Sequence, residues 1–296
     1  MDLTPVTVRD QLVNKKFSVL NHGHIILLDF MGSDQDVVLS ARTSYQKGTK
    51  SVSDDRVLIR YLMRHFHFTP FECPVLRFHI KLPIFVERQW VRSRTCFGMN
   101  EVSARYSELP EEYYVPIPDS IRQQSKVNKQ GRDEPVDVTI ATSFIEDTEK
   151  VALETFDQYH HDLGNGIARE LARINLPLGT YTEKVWSMNL RNLLEFLVLR
   201  MDSHAQWEIR QYATIIGEQI VAPLFPLVWE SFVDYRLQSL ALSRLEIEWL
   251  NRIMSLPTGI SGDHKRMVQP EEWKSLEKCR ERDEAIEKFK LLGVII

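Results

Sequence analysis

The chain has 296 residues, of which 43% are hydrophobic and 26% charged, with a formal net charge of -4. This is the composition of a globular protein long enough to bury a sizeable core. The acidic balance argues against general nucleic-acid binding, which needs a basic surface, so any anion site must be local.

At the amino terminus MDLTPVTVRD has no apolar h-region, so no signal peptide is read. No apolar run is long enough for a bilayer span, and no membrane association is expected. HIILLDF, His24–Phe30, follows the turn Asn21-His22-Gly23 and predicts a strand. Ser33 with Asp36 marks a helix start, and residues 54–66 predict a second helix with Leu58, Tyr61, Leu62 and His65 on one side. Leu76, Phe78, Ile80 and Leu82 alternate with Arg77, His79 and Lys81, the pattern of a half-buried strand. Pro83 suits the first turn of a helix carrying Phe85, Gln89 and Arg92, which runs into a loop at Gly98. The polar stretch 116–135 reads as loop, and 138–162 as a long amphipathic helix with Ile140, Phe144, Val151, Phe156 and Tyr159. After the turn Gly164-Asn165-Gly166, a short helix places Arg169 and Arg173 on one face and ends before Pro177. Tyr181–Met188 predicts a strand, and 190–201 an apolar helix ending in Arg200. Ser203 with Gln206 reads as a capping box opening a helix that reaches Pro223. Beyond Leu237 the texture changes: 237–254 predicts one more helix, and 264–290 a solvated helical tail.

Chemistry concentrates in RQWVRSRTCFGMNEVSARYSE, residues 88–108, where Arg88, Arg92, Arg94 and Arg105 crowd beside Trp90, Val91, Phe97 and Met99. Further candidates are HFTPFE (67–72), Arg173, and the helix junction Arg200-Met201-Asp202-Ser203-His204. Arginine keeps its charge and is rarely buried without an anionic or planar partner. Its fork suits a phosphate or a pyrimidine carbonyl edge. His204 reads as lying in the first turn of its helix, where free N–H groups favour anions. Taken singly, such arginines are more often a solvated face with weak ion pairs. His65, His67 and His204 are singly more often packing or capping residues. No HExxH, GxGxxG or GxxxxGK[ST] occurs, and no metal is expected. Cys73, Cys96 and Cys279 are too widely spaced for a disulfide framework. A reducing, cytoplasmic compartment is therefore expected. Cys96 has no evident base and reads as structural.

Together these stretches resemble the flavin-dependent thymidylate synthases. That family's signature is Arg-His-Arg, seven residues, then Ser, within Asn-Glu-x-Ser-x-Arg-Tyr. Here Arg92-Ser93-Arg94 is followed by eight residues and Ser103, within NEVSARY. The likeness extends to ARTSY (41–45), LIRYLMRHFHFTPFE (58–72), PIFVERQW (83–90), LARINLPLGTYT (171–182) and LRMDSHAQWEIRQYA (199–213). The resemblance implies an α/β (α+β) fold, with a central mostly antiparallel sheet flanked by helices. It places the family-like domain at 1–236 and a helical extension at 237–296.

The resemblance also implies a reaction. FAD is reduced by NADPH, methylene-tetrahydrofolate supplies one carbon, and dUMP becomes dTMP without a cysteine nucleophile. Nucleotide contacts are implied for Gln89, Arg92, Glu101, Ser103, Ala104, Arg105, Arg173 and Arg200. Flavin contacts are implied for Ser44, Thr69, Glu72, Arg92, Ser93, Arg94, Asn100, Glu101, Asn189, Arg191 and His204. Catalytic parts are implied for Arg200, Ser103 and His67, the last beside flavin and folate. The assembly implied is a homotetramer whose active sites are shared between subunits. Ser93 departs from the signature histidine, and one extra residue precedes Ser103. TCFGM can absorb that residue, because glycine at 98 tolerates conformations that others avoid. These departures leave open a related enzyme that takes UMP or leaves a hydroxymethyl group, or a non-catalytic flavin- or nucleotide-binding descendant.

Overall fold

A computed structural model describes residues 7–44, 54–126, 131–255, 266–267 and 280–295. The chain divides into two compact units, Met1–Leu237 and Gln238–Ile296. In the first unit a short helix, Val8–Leu12, precedes β1 (Lys16–Val19), β2 (Gly23–Met31), α1 (Asp34–Arg42), α2 (Asp55–Arg64), β3 (Val75–Pro83), α3 (Ile84–Trp90) and β4 (Gly98–Glu101). It continues through β5 (Arg122–Gln124), β6 (Arg132–Pro135), α4 (Val138–Gly164), α5 (Arg169–Ala172), β7 (Tyr181–Asn189), α6 (Leu190–Met201) and α7 (Trp207–Thr214). A π-helical segment, Ile215–Val221, then leads toward α8 (Pro226–Phe232).

The main sheet is antiparallel throughout, in the order β1-β2-β3-β7-β4. Alternation decides which face is core. Ile25 lies opposite Ile80, Leu27 opposite Phe78, and Phe78 opposite Trp186, all fully buried. The row through Ile80 is broken on β7, where its partner is Lys184. The other face carries His24, His79, Lys81 and Glu183. Helices α3, α6 and α7 cover the core face through an aromatic cluster. Trp90 has ring centroids 4.7 Å from Phe196, 5.2 Å from Trp186 and 6.0 Å from Tyr212. Gly217 lets the π-helical segment close on the end of α6: a Cβ there would lie 2.7 Å from the Trp229 ring and 2.9 Å from the Met201 sulfur. Phe156 and Tyr159 of α4 form a satellite core with Ala172, which anchors α5.

The fold class agrees with the sequence expectation, but several local readings change. α2 stops at Arg64 because Phe66 takes φ 59°, a left-handed conformation that closes the helix end. α3 stops at Trp90, so Arg92 lies past it, in the turn that follows. Gly98 is not in a loop but opens β4, because β7 offers a free edge for pairing. The polar stretch 116–135 holds the β5–β6 ribbon, whose exposed residues carry no apolar alternation to betray it. Thr69–Glu72, within HFTPFE, forms a 3₁₀ turn. α5 ends at Ala172 and Arg173 opens a 3₁₀ turn, so Arg169 and Arg173 do not share one α-helix. The Ser203–Gln206 capping box does not form. Gln206 is the N-cap residue of α7, and the Asp202 carboxylate takes the His204 backbone N–H at 2.7 Å instead. His204 therefore precedes its helix.

In the second unit α9 spans Arg244–Ser255, beginning later than the 237–254 expectation, and α10 spans Arg280–Leu291. Most of the predicted 264–290 tail lies outside the described residues. Ala285 and Phe289 pack with Leu242, Trp249 and Leu250 as this unit's own small core. Among the described residues no helix is long and apolar enough to cross a membrane.

Candidate functional site

Arg200 stands on the last turn of α6, whose Leu193 and Leu197 are fully buried. Its Nη2 donates to the backbone oxygen of Gln89 at 3.2 Å, while its Nε is buried with no hydrogen-bond partner among the described residues. Burial pushes the guanidinium below its ordinary value. The site thus holds a partly desolvated cation with donor capacity left over.

Gln89 lies in the last turn of α3 and hydrogen-bonds through its side-chain nitrogen to Gln206. Downstream, Ser103–Ser107 forms a turn in which the Arg105 N–H donates to Ser103 Oγ at 3.3 Å, and Ala104 is buried. Arg105 pairs with Glu170 at 3.0 Å and Arg169 with Glu108 at 3.5 Å, which holds this turn against α5 and the adjoining Arg173. β4 fixes what precedes the turn. Glu101 is in register with Lys184, and its carboxylate accepts from Thr182 Oγ1 at 2.8 Å. The β4 register thus fixes Gly98–Glu101 against β7, immediately before the turn. Gly98 opens this strand with no positive φ and with open space around it.

A second group gathers at the start of α6. Asn189 caps this helix by accepting from the Asn192 N–H at 2.9 Å. Arg191 pairs with Glu72. Asn192 Nδ2 donates to the Thr95 oxygen at 2.8 Å, which draws in the loop carrying Arg92, Ser93 and Arg94. The side chains of Arg92, Arg94 and Arg173 are exposed and make no hydrogen bond or ion pair among the described residues. Unsatisfied guanidinium groups beside a helix N-terminus form an anion-binding surface that suits a diphosphate.

Among the described residues, other expected residues are not joined to these groups by hydrogen bonds or ion pairs. His67 is exposed beside Tyr61 and His65, with ring centroids at 5.7 and 6.3 Å. Ser44 follows α1, and His204 pairs with Asp202 at 2.9 Å. Asn100 lies on the exposed β4 edge, and Thr69 stands in the turn of Glu72. Tyr45 of ARTSY lies outside the described residues.

Three features escaped sequence reading. Lys184 is fully buried, pairs with Glu87 of α3 and sits 4.2 Å over the Trp90 ring. Desolvation pushes Lys184 down to about 8 and raises Glu87 above the usual carboxylate range. Nothing in TEKVW distinguishes this lysine from a solvent-facing one; only the strand register does. Next, Gln206 continues to Glu208, which is almost fully buried and bonded to Arg132 and Tyr114. Arg132, Arg122, Gln206, Trp207 and Arg210 border a cavity of about 520 Å³ between the β5–β6 ribbon and the turn before α7. Lastly, ligand-type atoms of His24, His79 and Glu183 lie within 4.8 Å of one another. His79 faces His24 with Nδ1 at 3.4 Å and Glu183 with Nε2 at 2.9 Å, while Lys81 stands 3.5 Å from the same carboxylate. These groups form a polar row across the strands.

Comparison with known proteins gives this geometry a context. A family model described as thymidylate synthase complementing protein matches residues 26–227. A flavin-dependent thymidylate synthase of Wolbachia pipientis wMel is 45% identical over 245 residues, covering 83% of this chain and 86% of that protein. One from Gluconobacter oxydans is 47% identical, covering 80% and 79%. One from Rickettsia prowazekii is 44% identical and covers 92% and 96%, so its alignment necessarily enters residues 237–296. Among solved structures, the UMP/dUMP methylase PolB of Streptomyces cacaoi, bound with 5-Br UMP, superposes with TM-score 0.67. It is 32% identical, covering 75% of this chain and 99% of PolB.

Proposed function

Because this chain belongs to the family of flavin-dependent thymidylate synthases, we propose that it methylates dUMP at C5 to dTMP, with FAD as cofactor, NADPH as reductant and methylene-tetrahydrofolate as one-carbon donor. The observation that carries this reading is Arg200, a half-buried guanidinium with an orphaned Nε at the end of an apolar helix. An orphaned buried donor is costly, and a planar carbonyl ligand relieves it. Beside a pyrimidine, the cation stabilises charge drawn onto the carbonyl side as C5 reacts.

The other roles follow from donor chemistry. Ser103, Arg105, Arg173 and Gln89 hold the nucleotide, with Ala104 and Glu101 shaping the turn and Arg92 adding charge. Arg191, Arg94, Arg92 and the α6 N-terminus offer countercharge to the flavin diphosphate. When bound, the flavin supplies the redox chemistry; the chain's residues bind, orient and exclude water. Ser93 gives this pocket a hydroxyl in place of an imidazole. Thr69, Glu72, Asn100 and Asn189 complete the flavin side. His67, Ser44 and His204 reach a site when subunits share it, which accords with a homotetramer. A cytoplasmic location is proposed with it.

One observation favours a second reading. PolB is named a UMP/dUMP methylase and was solved with 5-Br UMP, so acceptance of UMP is the alternative. The test is product mass after incubation with FAD, NADPH, methylene-tetrahydrofolate and equal dUMP and UMP. A methyl group on dUMP alone is the expected outcome. Methylated UMP establishes the second reading, and an unmodified mixture refutes both.

A further inference from the structure

We infer that Glu208 is a positioning residue that fixes which end of the Gln89 amide faces the nucleotide. The inference rests on the nucleotide-site reading above. It begins with a chain of side-chain bonds running from buried carboxylate to site. Gln206 Nε2 donates to Glu208 Oε2 at 2.8 Å, and Gln89 Nε2 donates to Gln206 Oε1. The other oxygen of Glu208 accepts from Arg132 Nη2 at 2.6 Å and from the Tyr114 hydroxyl at 3.1 Å.

The polarity of the chain is set at one end. An ionised carboxylate only accepts, whereas an amide has one donating end and one accepting end. Glu208 is 1% exposed, and its carboxylate is the counterion of Arg132 at 2.6 Å. Burial drives the Tyr114 phenol far above its usual range, so it stays protonated and can only donate here. Gln206 must then turn its NH₂ to Glu208 and its carbonyl to Gln89. Gln89 must in turn give an N–H to Gln206. Its own carbonyl oxygen remains for the ligand, with one N–H to spare. A phosphate presents only acceptors to that oxygen, so the oxygen is set to accept from a hydroxyl on the nucleotide sugar. The Gln89 backbone oxygen is meanwhile tied to Arg200 at 3.2 Å, so one residue joins the chain to the cation proposed for the pyrimidine.

Replacing Glu208 by glutamine reverses this logic. Arg132 and Tyr114 still donate, so they capture the new carbonyl. The new NH₂ faces Gln206, which flips, and Gln89 flips after it and loses its acceptor. Moving the carboxylate one step along the chain restores the polarity. In the double variant Gln206→Glu, Glu208→Gln, residue 206 accepts from both neighbours, and Gln89 returns to its original orientation.

The test is steady-state kinetics and dUMP binding for the wild type, Glu208→Gln and the double variant. For Glu208→Gln we expect dUMP KM to rise about tenfold with kcat changed less than about threefold. The double variant should return KM to within about threefold of the wild type. An unchanged KM in Glu208→Gln, or an elevated KM that the double variant fails to rescue, overturns the inference. If Glu208→Gln does not fold, the double variant decides alone: wild-type dUMP binding supports the chain and lost binding refutes it. A wild type that binds dUMP while the variants contradict the scheme overturns only the positioning role. A wild type that neither binds nor turns over uridine nucleotides removes the functional reading and this inference together.

Discussion

Position 184 puts an ammonium group where its strand register calls for an apolar side chain. Lys184 survives there because Glu87 and the Trp90 face meet it, yet desolvation still pushes both groups toward their neutral forms. Breaking such a pair costs more than removing it. Lys184→Met alone is expected to lose about 3–5 kcal/mol, whereas Glu87→Leu with Lys184→Met is expected to lie between neutral and about 4 kcal/mol more stable. Urea unfolding of the three proteins measures this. Arg200 gives the opposite pattern, because its buried Nε has no partner to abandon. Arg200→Ala should lower kcat by about 10²-fold or more while the unfolding midpoint holds or rises. Retained turnover would remove Arg200 from the reaction. His24 links stability to pH. Burial, with Lys16 and His79 adding to it, lowers its pKa to about 4. The folded state therefore binds fewer protons than the unfolded state between pH 6.5 and 4, and stability falls as pH falls through that window. A loss of about 2–3 kcal/mol is expected. His24→Gln should flatten this part of the unfolding profile, and an equally steep profile in the variant would reject the assignment.

Among the elements, β4 and the π-helical segment show how the backbone sets the site. The pairing of Asn100 with Val185 and of Glu101 with Lys184 fixes the strand that leads into the Ser103 turn. Gly98 has open space and no positive φ, so Gly98→Ala should change stability by less than about 0.5 kcal/mol and leave activity near wild type. Gly217→Ala differs, because its Cβ would press on Trp229 and on Met201, the neighbour of Arg200. It should cost about 1–3 kcal/mol and lower kcat/KM as well. These cases also explain what the sequence disclosed. β2, β3 and β7 were legible because one face of each is buried, and α4 and α6 because their apolar residues recur at helical spacing. β4 and the β5–β6 ribbon are edges without such a pattern, and α7 begins at Trp207 without a side-chain cap that the sequence could mark. Arg200 was legible as a cation ending an apolar helix. Lys184 with Glu87, and Glu208 with Gln206, Arg132 and Tyr114, were not, because each is defined by partners on other elements.

At the scale of the whole molecule, apolar surface remains to be covered. Ile140, Phe144 and Val151 recur at i, i+4 and i+11 along α4 and are 59%, 52% and 53% exposed. Leu171, Ile174 and Leu178, which flank Arg173, are exposed by 56%, 69% and 66%. Apolar residues grouped this way beside unpaired guanidinium groups mark a surface that other subunits can cover. Leu171, Ile174 and Leu178 place part of that surface next to Arg173 in sequence. If sites are shared, assembly and turnover must fail together. Phe144→Glu puts a carboxylate in the middle of the α4 stripe and should shift the mass measured by light scattering from tetramer toward smaller species, with turnover falling in proportion. Because the Phe144 side chain faces solvent in the isolated chain, the variant should keep its fold by circular dichroism. Full activity in a folded, dissociated variant would mean that one protomer contains a complete site. His67, Ser44 and His204 would then have to reach it from within the same chain, through a rearrangement of the loops that carry them.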